Sequence, residues 1–314
     1  MKLIIQIPCY NEAGQLPATL PTLPRNLPGF DSVEWLVVDD GSTDGTAVLA
    51  RELGADHVIE LARNRGLARA FLTGIEASLR RGADVVVNFD ADNQYSADGI
   101  ASLVQPILDG QADVVVGCRP IGDIKHFSPL KKALQKLGSA VVRLLSGTQV
   151  DDATSGFRAY SRAAALRLNV YSRYTYTLET LIQAGQGGLR VISRPAAVNP
   201  PTRSSRLMRS MREYVWRSAV AIVRSFVTYR PLRFFMVPAI VSGGIGLLLG
   251  LRFLVLLLQH GAAGNIQSLI LAAILIVLGA LCAVLGLVAD LLSVNRRLLE
   301  DIQLSGRLRD WRQP

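Results

Sequence analysis

The chain has 314 residues, of which 50% are hydrophobic and only 19% are charged, which excludes a disordered or highly charged low-complexity protein. Its three cysteines, Cys9, Cys118 and Cys282, lie far apart without a C-x-x-C pair. This argues against a disulfide scaffold and a zinc module, and fits a reducing compartment. The net charge of +9 is local, since residues 1–200 carry 20 basic and 20 acidic residues, whereas residues 201–314 carry 14 arginines and 5 acidic residues. The charge therefore does not indicate nucleic-acid binding by the first 200 residues.

The first 200 residues alternate short apolar runs with helical patterns. The runs that predict strands are Leu3–Ile7, Trp35–Asp39, His57–Leu61, Val85–Phe89 and Val114–Gly117. Apolar residues three or four positions apart predict helices over Thr43–Leu53, Gly66–Arg81, Ala97–Leu108 and Pro129–Leu145. Strands this uniformly apolar are buried on both faces, which predicts an α/β fold with a parallel sheet and helices on both sides.

Two long apolar runs follow this region. Residues 234–258 contain a single charge, Arg252, and residues 266–289 contain none. Each run exceeds the roughly 20 residues that span a membrane. Arginines on both flanks of the pair predict, by the positive-inside rule, that both ends of the chain lie in the cytosol of a multi-pass plasma-membrane protein.

The predicted organisation has four parts. They are a cytosolic domain (1–200), basic interfacial helices (201–233), two transmembrane helices (234–294) and a cytosolic tail (295–314). The spacings Gly246-LLL-Gly250 and Gly279-ALC-Ala283 permit close helix contact within one hairpin or between two, so a homo-oligomer held by the hairpin is a further expectation.

Acidic residues close three of the predicted strands. Glu12 follows the first strand, Asp39-Asp40 ends the second, and Asp90-Ala91-Asp92 ends the fourth. Ligands of parallel sheets bind at the carboxyl ends of the strands. Acidic residues at strand ends also serve as ordinary turn and cap residues, but two carboxylates one residue apart can hold Mg²⁺ or Mn²⁺ against a diphosphate. The first strand runs into IPCYNE rather than G-x-G-x-x-G, and no G-x-x-x-x-G-K-[ST] is present, which argues against dinucleotide-binding and P-loop proteins.

The segments IPCYNE, VVDDGSTDGT, RNRGLARA, DADNQY and DATSGFRAYSR resemble those of the family 2 glycosyltransferases of GT-A fold. This resemblance implies a Rossmann-like α/β fold with a mixed, mostly parallel sheet. More narrowly, the chain resembles the polyprenyl-phosphate sugar synthases of the dolichol-phosphate mannose synthase type, over residues 1 to about 230. The resemblance implies transfer of a hexosyl group from a UDP- or GDP-sugar to an undecaprenyl or dolichyl monophosphate at the cytosolic membrane face. A single displacement of this kind predicts inversion at the anomeric carbon.

The resemblance also implies the site residues. Those implied to bind the nucleotide sugar are Pro8, Tyr10, Glu12, Asp39, Gly66, Asp90, Ala91 and Asp92. The implied metal site consists of Asp90, Asp92 and Gln94, and the implied catalytic residues are Asp90, Asp92 and Arg119. Those implied to bind the acceptor phosphate are Lys132, Ser155, Arg158, Arg203 and Arg206. Related synthases often carry a G-x-S-K-like stretch before the membrane segment; this chain has NPPTRSSRL, in which Arg206 takes the basic position.

Two other interpretations stay open at this point. A membrane-anchored family 2 enzyme that extends a glycan or glycolipid would use the hairpin only as an anchor. A non-catalytic protein would bind a sugar nucleotide or a lipid without transfer. The complete IPCYNE and D-A-D segments favour an enzyme over the second of these.

Overall fold

The computed structural model describes residues 1–119, 129–170, 176–199, 216, 219–220, 223–224, 226–260 and 266–310. The chain divides into two compact units. The first comprises Met1–Ala219 together with Gln303–Pro314, and the second comprises Val220–Ile302. The first unit holds the sheet, and the second holds two long apolar helical segments.

Over the described residues, the first unit is built on a seven-stranded sheet of order β3-β2-β1-β4-β6-β5-β7. The strands are β1 (Lys2–Cys9), β2 (Ser32–Asp39), β3 (His57–Glu60), β4 (Val85–Asn88), β5 (Val114–Cys118), β6 (Arg158–Ser161) and β7 (Val191–Pro195). Only β6 runs antiparallel to its neighbours in this described sheet. The prediction of a mixed, mostly parallel α/β sheet is confirmed, although β6 and β7 had not been identified from the sequence.

Helices cover the sheet. Those of the first unit are α1 (Leu16–Thr19), α2 (Thr46–Glu52), α3 (Leu67–Arg80), α4 (Gly99–Leu108), α5 (Pro129–Ser146), α6 (Arg162–Arg167) and α7 (Thr177–Gln186). Helix α3 buries an apolar face that includes Phe71 and Ile75. A Cβ on Gly74 would clash with Oε1 of Gln6, so this glycine lets α3 approach β1 closely.

The register of the strands brings the carboxyl ends of β1, β2 and β4, each of which is followed by a loop, to one edge of the sheet. Cys9 pairs with Asp39 across β1 and β2, and Gln6 pairs with Asn88 across β1 and β4. Because β6 is antiparallel, it begins at this same edge, where Arg158 pairs with Asn88. The residues that precede β6 therefore come next to the residues that follow β4.

Three aromatic rings support the loop after β4. The ring of Phe157 makes an edge-to-face contact with Phe89 at a centroid distance of 5.3 Å, and it lies 5.1 Å from the ring of Tyr95. Edge-to-face contacts of this kind add about 0.5–1.5 kcal/mol beyond the burial of area. Since Phe89 precedes the D-A-D segment and Tyr95 follows it, this packing holds both ends of the loop.

The second unit contains α8 (Pro231–His260) and most of α9 (Ile266–Asp310). Both helices are long and apolar enough to cross a membrane. They expose large apolar side chains, with Leu248 68% and Leu291 67% exposed. Helix α9 continues to Asp310, so residues 295–310, which we had predicted as part of a tail, extend the second apolar helix.

Small residues bring α8 and α9 together. A Cβ on Gly246 would lie 2.9 Å from the carbonyl oxygen of Ala272, and a Cβ on Gly279 would lie 2.9 Å from that of Ala239. The hydroxyl of Ser242 donates to the carbonyl oxygen of Leu275 at 2.8 Å. Gly246 and Gly279 therefore allow close contact within one hairpin, whereas a Cβ on Gly250 would meet no atom within 4 Å.

Candidate active site

The loop after β1 is hydrogen-bonded to the loop after β2. The N–H of Asn11, a residue with a φ of 54°, donates to Oγ of Ser42 at 2.8 Å, and Oδ1 of Asn11 accepts from the N–H of Thr43 at 2.9 Å. Asp39 is buried and accepts from the N–H of Ser42 at 3.0 Å. The two loops thus form one continuous wall at the carboxyl edge of the sheet.

Three residues implied to bind the nucleotide lie along this wall. Pro8 is buried within β1, and Glu12 is only 9% exposed, with its N–H donating to Oγ1 of Thr46 at 2.9 Å. Tyr10 is 44% exposed. Of the three side chains, Tyr10 therefore offers the largest surface to a ligand.

Asp40 organises the start of helix α3. Its carboxylate accepts from the N–H groups of Arg65 and Gly66, each at 2.8 Å. Burial raises the pKa of the Asp40 carboxyl, and the two backbone donors act in the opposite direction. Gly66 has a φ of 92°, which glycine adopts readily. Gly66 was expected from the sequence to bind the nucleotide sugar, whereas Asp40, the residue that fixes Gly66, had no predicted role.

Asp90 and Asp92 follow β4 at the same edge. Burial, and then the neighbouring carboxylate of Asp92, raise the pKa of Asp90 to about 7. The guanidinium groups of Arg119 and Arg158 act in the opposite direction. The N–H of Gln94 donates to Oδ1 of Asp92 at 3.1 Å and so restrains the second carboxylate. Adjacent carboxylates that repel one another favour a bound cation.

Ala91, between the two carboxylates, is 5% exposed. Its carbonyl oxygen accepts from the hydroxyl of Thr19 at 3.0 Å. The D-A-D backbone is therefore fastened to helix α1, and the Ala91 side chain packs into the core.

The carboxylate of Asp90 packs against the backbone of Gly156. A Cβ on Gly156 would lie 2.7 Å from Oδ2 of Asp90. The amide of Asn88 donates to the carbonyl oxygen of Gly156 at 2.8 Å and to the hydroxyl of Tyr176 at 2.9 Å, while its Oδ1 accepts from Nε2 of Gln6 at 2.9 Å. Sequence reasoning missed this support, although Asn88 is the polar residue in the otherwise apolar run VVVNF.

Arg119 follows β5 and forms a bidentate ion pair. Its Nε and Nη2 donate to the two carboxylate oxygens of Asp152 at 2.7 and 3.1 Å, and Nη2 also donates to Oγ1 of Thr154 at 2.8 Å. Burial raises the pKa of Asp152, but the charge of Arg119 and the hydrogen bonds from Arg119 and Thr154 together bring the pKa below its ordinary value. This pair therefore contributes stability above the unfolded pKa of about 3.9, and the contribution is lost as the pH falls through the folded pKa.

The loop after D-A-D is paired with the residues that follow β7. The N–H of Asn199 donates to the carbonyl oxygen of Gln94 at 2.8 Å, and its side-chain amide donates to that of Asn93 at 3.0 Å. Tyr95 and Val198 form an antiparallel bridge. Residues 198–199 are thereby held against the D-A-D loop, a connection that the sequence analysis did not predict.

A family model described as "Glycosyl transferase family 2" matches residues 4–168, which is more than half of the chain. The chain belongs to glycosyl transferase family 2. The resemblance identified from the sequence motifs is thereby confirmed. The glycosyl transferase family 2 match covers β1 to β6 and therefore includes the Asp90–Asp92 and Arg119–Asp152 pairs.

Relatives of known name share about a third of their residues with this family 2 glycosyltransferase. The polyprenol monophosphomannose synthase of Mycolicibacterium smegmatis is 32% identical over 205 residues, which cover 62% of this chain and 76% of that protein. The UDP-N-acetylglucosamine–dolichyl-phosphate N-acetylglucosaminyltransferase of Methanococcus voltae is 33% identical over 207 residues, 59% of this chain and 80% of that protein. The undecaprenyl-phosphate mannosyltransferase of Micrococcus luteus is 32% identical over 205 residues, 62% and 82% of the two chains.

Solved structures confirm the fold. Glucosyl-3-phosphoglycerate synthase from Mycobacterium tuberculosis, solved with Mn²⁺, UDP and glucosyl-3-phosphoglycerate, superposes with a TM-score of 0.53 at 21% identity. The superposition covers 71% of this chain and 79% of that one. At this level of identity the similarity concerns the fold, and it agrees with the GT-A architecture expected of a family 2 glycosyltransferase.

Two residues implied to bind the acceptor phosphate of this family 2 glycosyltransferase are buried instead. Ser155 and Arg158 are both 0% exposed. The Arg158 guanidinium donates to the carbonyl oxygens of Ala153, Ser155 and Thr177 at 2.8–2.9 Å. The Ser155 hydroxyl lies 3.1 Å from that of Tyr95. In this arrangement both side chains hold the Gly156 loop under Asp90 and do not face a ligand, which corrects our expectation for them.

The other implied acceptor residues lie outside the described part of this family 2 glycosyltransferase. Arg203 and Arg206 belong to residues 200–215, and Lys132 is in helix α5 with a side chain that is not among those described. Asp90, Asp92, Arg119 and Gln94, by contrast, are all brought together at the carboxyl edge of the sheet.

Proposed function

We propose that this family 2 glycosyltransferase moves a hexosyl group from a UDP- or GDP-sugar to a polyprenyl monophosphate, with inversion, at the cytosolic face of the plasma membrane. The observation that carries this proposal is the hydrogen-bonded junction between Asn199 and the D-A-D loop. It ties the chain that enters the basic segment to the donor-side carboxylates. The names of the three relatives support a polyprenyl-phosphate acceptor.

The donor side fits a divalent cation. Among the described residues, no group of three or more His, Cys, Asp and Glu side chains could hold a metal by itself. Asp90 and Asp92 would supply two carboxylates, with Gln94 beside them, and phosphate oxygens and water would complete the shell, as Mg²⁺ or Mn²⁺ sites of this kind require. When bound, the cation would neutralise charge on the leaving diphosphate.

The acceptor side follows from the chain beyond Asn199. Arg203 is four residues further along, so the covalent chain keeps its Cα within about 14 Å of that of Asn199. Arg203 and Arg206 therefore belong to a basic segment that starts beside the D-A-D loop. We assign to these two arginines the binding of the acceptor phosphate, for which their planar, charged donor groups are suited.

The proposed chemistry requires no general base. A monophosphate with a second pKa near 6 is largely dianionic at neutral pH. One of its oxygens attacks the anomeric carbon, the new C–O bond forms as the bond to the nucleoside diphosphate breaks, and the diphosphate leaves with the electron pair. We assign to Arg119, which Asp152 holds in place, a position beside the reacting groups. Catalysis then rests on positioning and electrostatic stabilisation.

We expect the double variant Arg203→Ala, Arg206→Ala to transfer sugar to polyprenyl phosphate about ten- to a hundredfold more slowly, since charge-assisted hydrogen bonds to the acceptor are lost. Affinity for the nucleotide sugar should not change, because the donor contacts come from the β1 and β2 loops and the D-A-D segment. The measurements are the transfer rate and, separately, donor binding on the same protein.

The matched control is the double variant Arg217→Ala, Arg224→Ala, which removes the same charge from the same basic region. It should retain transfer close to that of the wild type. Equal losses in both double variants would reduce the role of these arginines to membrane affinity. Unchanged transfer in the first variant would show that the acceptor phosphate does not bind to these two arginines. It would favour an enzyme that extends a glycan or glycolipid.

The arginines on both sides of the hairpin support a topology with both termini in the cytosol. In a chain without native cysteines, Gly264→Cys should react with a membrane-impermeant thiol reagent added to intact cells. Ser305→Cys, at an exposed position of α9, should react only after the membrane is permeabilised. The reverse pattern of labelling would place the donor site on the wrong side for a cytosolic sugar nucleotide.

A further inference from the structure

The end of helix α9 belongs to the first unit from Gln303 onward. Within that unit, Nη1 of Arg307 donates to the carbonyl oxygens of Leu166 at 2.9 Å and Leu168 at 3.0 Å. Nη2 of Arg307 lies 3.7 Å from Oε1 of Glu76. One guanidinium therefore contacts the end of α6 and the middle of α3.

The chemistry of this contact suits an arginine. The last carbonyl oxygens of a helix lack partners within the helix and carry its partial negative charge, so a cation there is favourable. Leu166 and Leu168 are 6% and 2% exposed. Their carbonyl groups therefore depend on donors from the protein. The planar guanidinium group of an arginine can donate to both carbonyl oxygens while it also faces the Glu76 carboxylate.

The two helices that Arg307 contacts, α3 and α6, are also connected to the residues that hold Asp90 in place. After α6, the N–H of Asn169 donates to Oε1 of Gln183 on α7 at 3.0 Å. Tyr176, directly before α7, stacks on Phe71 of α3 with ring centroids 3.8 Å apart. The Tyr176 hydroxyl is the one that accepts from Asn88 beneath Asp90. The contact thus falls on elements that hold the donor site in place.

We propose that Arg307 is a docking residue that fastens the end of the second apolar helix to the catalytic domain at α3 and α6. The chain passes from the first unit to the second at residues 219–220 and returns at residues 302–303 within α9, and Arg307 anchors the residues that follow this second connection. Arg307 is a positioning residue, since it acts through these two helices. Its effect on turnover rests on the proposed function, because this anchor matters when the acceptor is embedded in a membrane.

The first experiment is hydrogen exchange on the full-length protein in lipid nanodiscs. In Arg307→Ala, the backbone amides of residues 303–310 should exchange about tenfold faster than in the wild type, the scale of one lost charge-assisted hydrogen bond. Arg309→Ala removes the same charge two residues later at an exposed position and serves as the control. Identical exchange in the wild type and Arg307→Ala would overturn the docking contact.

The second experiment compares two acceptors on the same proteins. With a long-chain polyprenyl phosphate embedded in the bilayer, Arg307→Ala should transfer about five- to tenfold more slowly than Arg309→Ala. With a short-chain prenyl phosphate dissolved in water, the two variants should transfer equally. Equal losses with both acceptors would indicate general damage to the domain. No loss with either acceptor would show that Arg307 does not position the domain for transfer. Both results contradict the proposal.

The two experiments separate this inference from the proposed function. If the wild-type chain transferred sugar to neither prenyl phosphate, the proposed function would fail, while hydrogen exchange would still decide whether Arg307 docks α9 on the catalytic domain.

Discussion

Replacement of Asp92 by Asn should lower the rate of sugar transfer about a hundred- to a thousandfold, the scale seen when one group that stabilises transition-state charge is removed. Asp92 lies two positions after Asp90, whose pKa is raised to about 7 by burial and by the Asp92 charge. Without the second carboxylate, the site would bind a divalent cation poorly. Transfer rates measured across a Mn²⁺ or Mg²⁺ titration would show both the lower rate and the higher cation requirement.

The control for this variant is Asp109→Asn, which changes the same group at an exposed position after α4. It should leave transfer unchanged, and both variants should unfold at the temperature of the wild type. Full turnover of the wild-type protein in excess EDTA would show that the Asp90–Asp92 pair has a different role.

Replacement of Gly156 by Ala should lower transfer about a hundredfold while leaving the fold in place, since displacements near 1 Å at a reacting centre have effects of this size. The added Cβ would lie 2.7 Å from Oδ2 of Asp90 and 2.8 Å from the hydroxyl of Tyr176, so one of these groups must move. Asp90 is the less constrained of the two, because Tyr176 is 1% exposed and stacked on Phe71. The affinity for a divalent cation, measured beside the rate, would report the displacement of Asp90.

Gly138→Ala is the matched control, because a Cβ at that position of α5 meets no atom within 4 Å. It adds the same methyl group at a helical position, where alanine is more favourable than glycine. Wild-type transfer by Gly156→Ala would show that Asp90 does not depend on the close packing of this loop.

Much of the donor side could be predicted from the sequence because its signals are local. The apolar runs that form β1 to β5 each end in a recognisable polar segment, and the D-A-D spacing lies within three residues. The two apolar helices are recognisable from composition and length alone. In each of these cases, the residues that predict the feature are neighbours in the sequence.

The support of Asp90 could not be predicted in this way. Strand β6 is only four residues long, and its antiparallel pairing with β4 joins residues about 70 positions apart, such as Asn88 and Arg158. That pairing alone brings Gly156 to Asp90 and turns Arg158 into the interior. A local motif identifies SGFR as functional, but the direction of a short strand decides which of its side chains can reach a ligand.

The length of helix α9 shows a related limit of sequence patterns. The loss of hydropathy after Ala289 marks the end of the apolar run, but residues 290–310 continue the same helix. The end of an apolar run and the end of a helix therefore need not fall at the same residue. The Arg307 contact, with partners about 140 positions earlier in the chain, became visible only in the folded structure.

The most direct test of the proposed function is to supply the full-length protein in lipid bilayers with a panel of UDP- and GDP-sugars labelled in the sugar. Polyprenyl monophosphate, free polyprenol or no acceptor is added, and the label in the organic extract is measured. The proposed function predicts labelled lipid with at least one donor, only when the monophosphate is present, and about a hundred- to a thousandfold less with Asp92→Asn. Label in the extract that did not depend on the monophosphate, or label found only in a water-soluble or polymeric glycan, would contradict it.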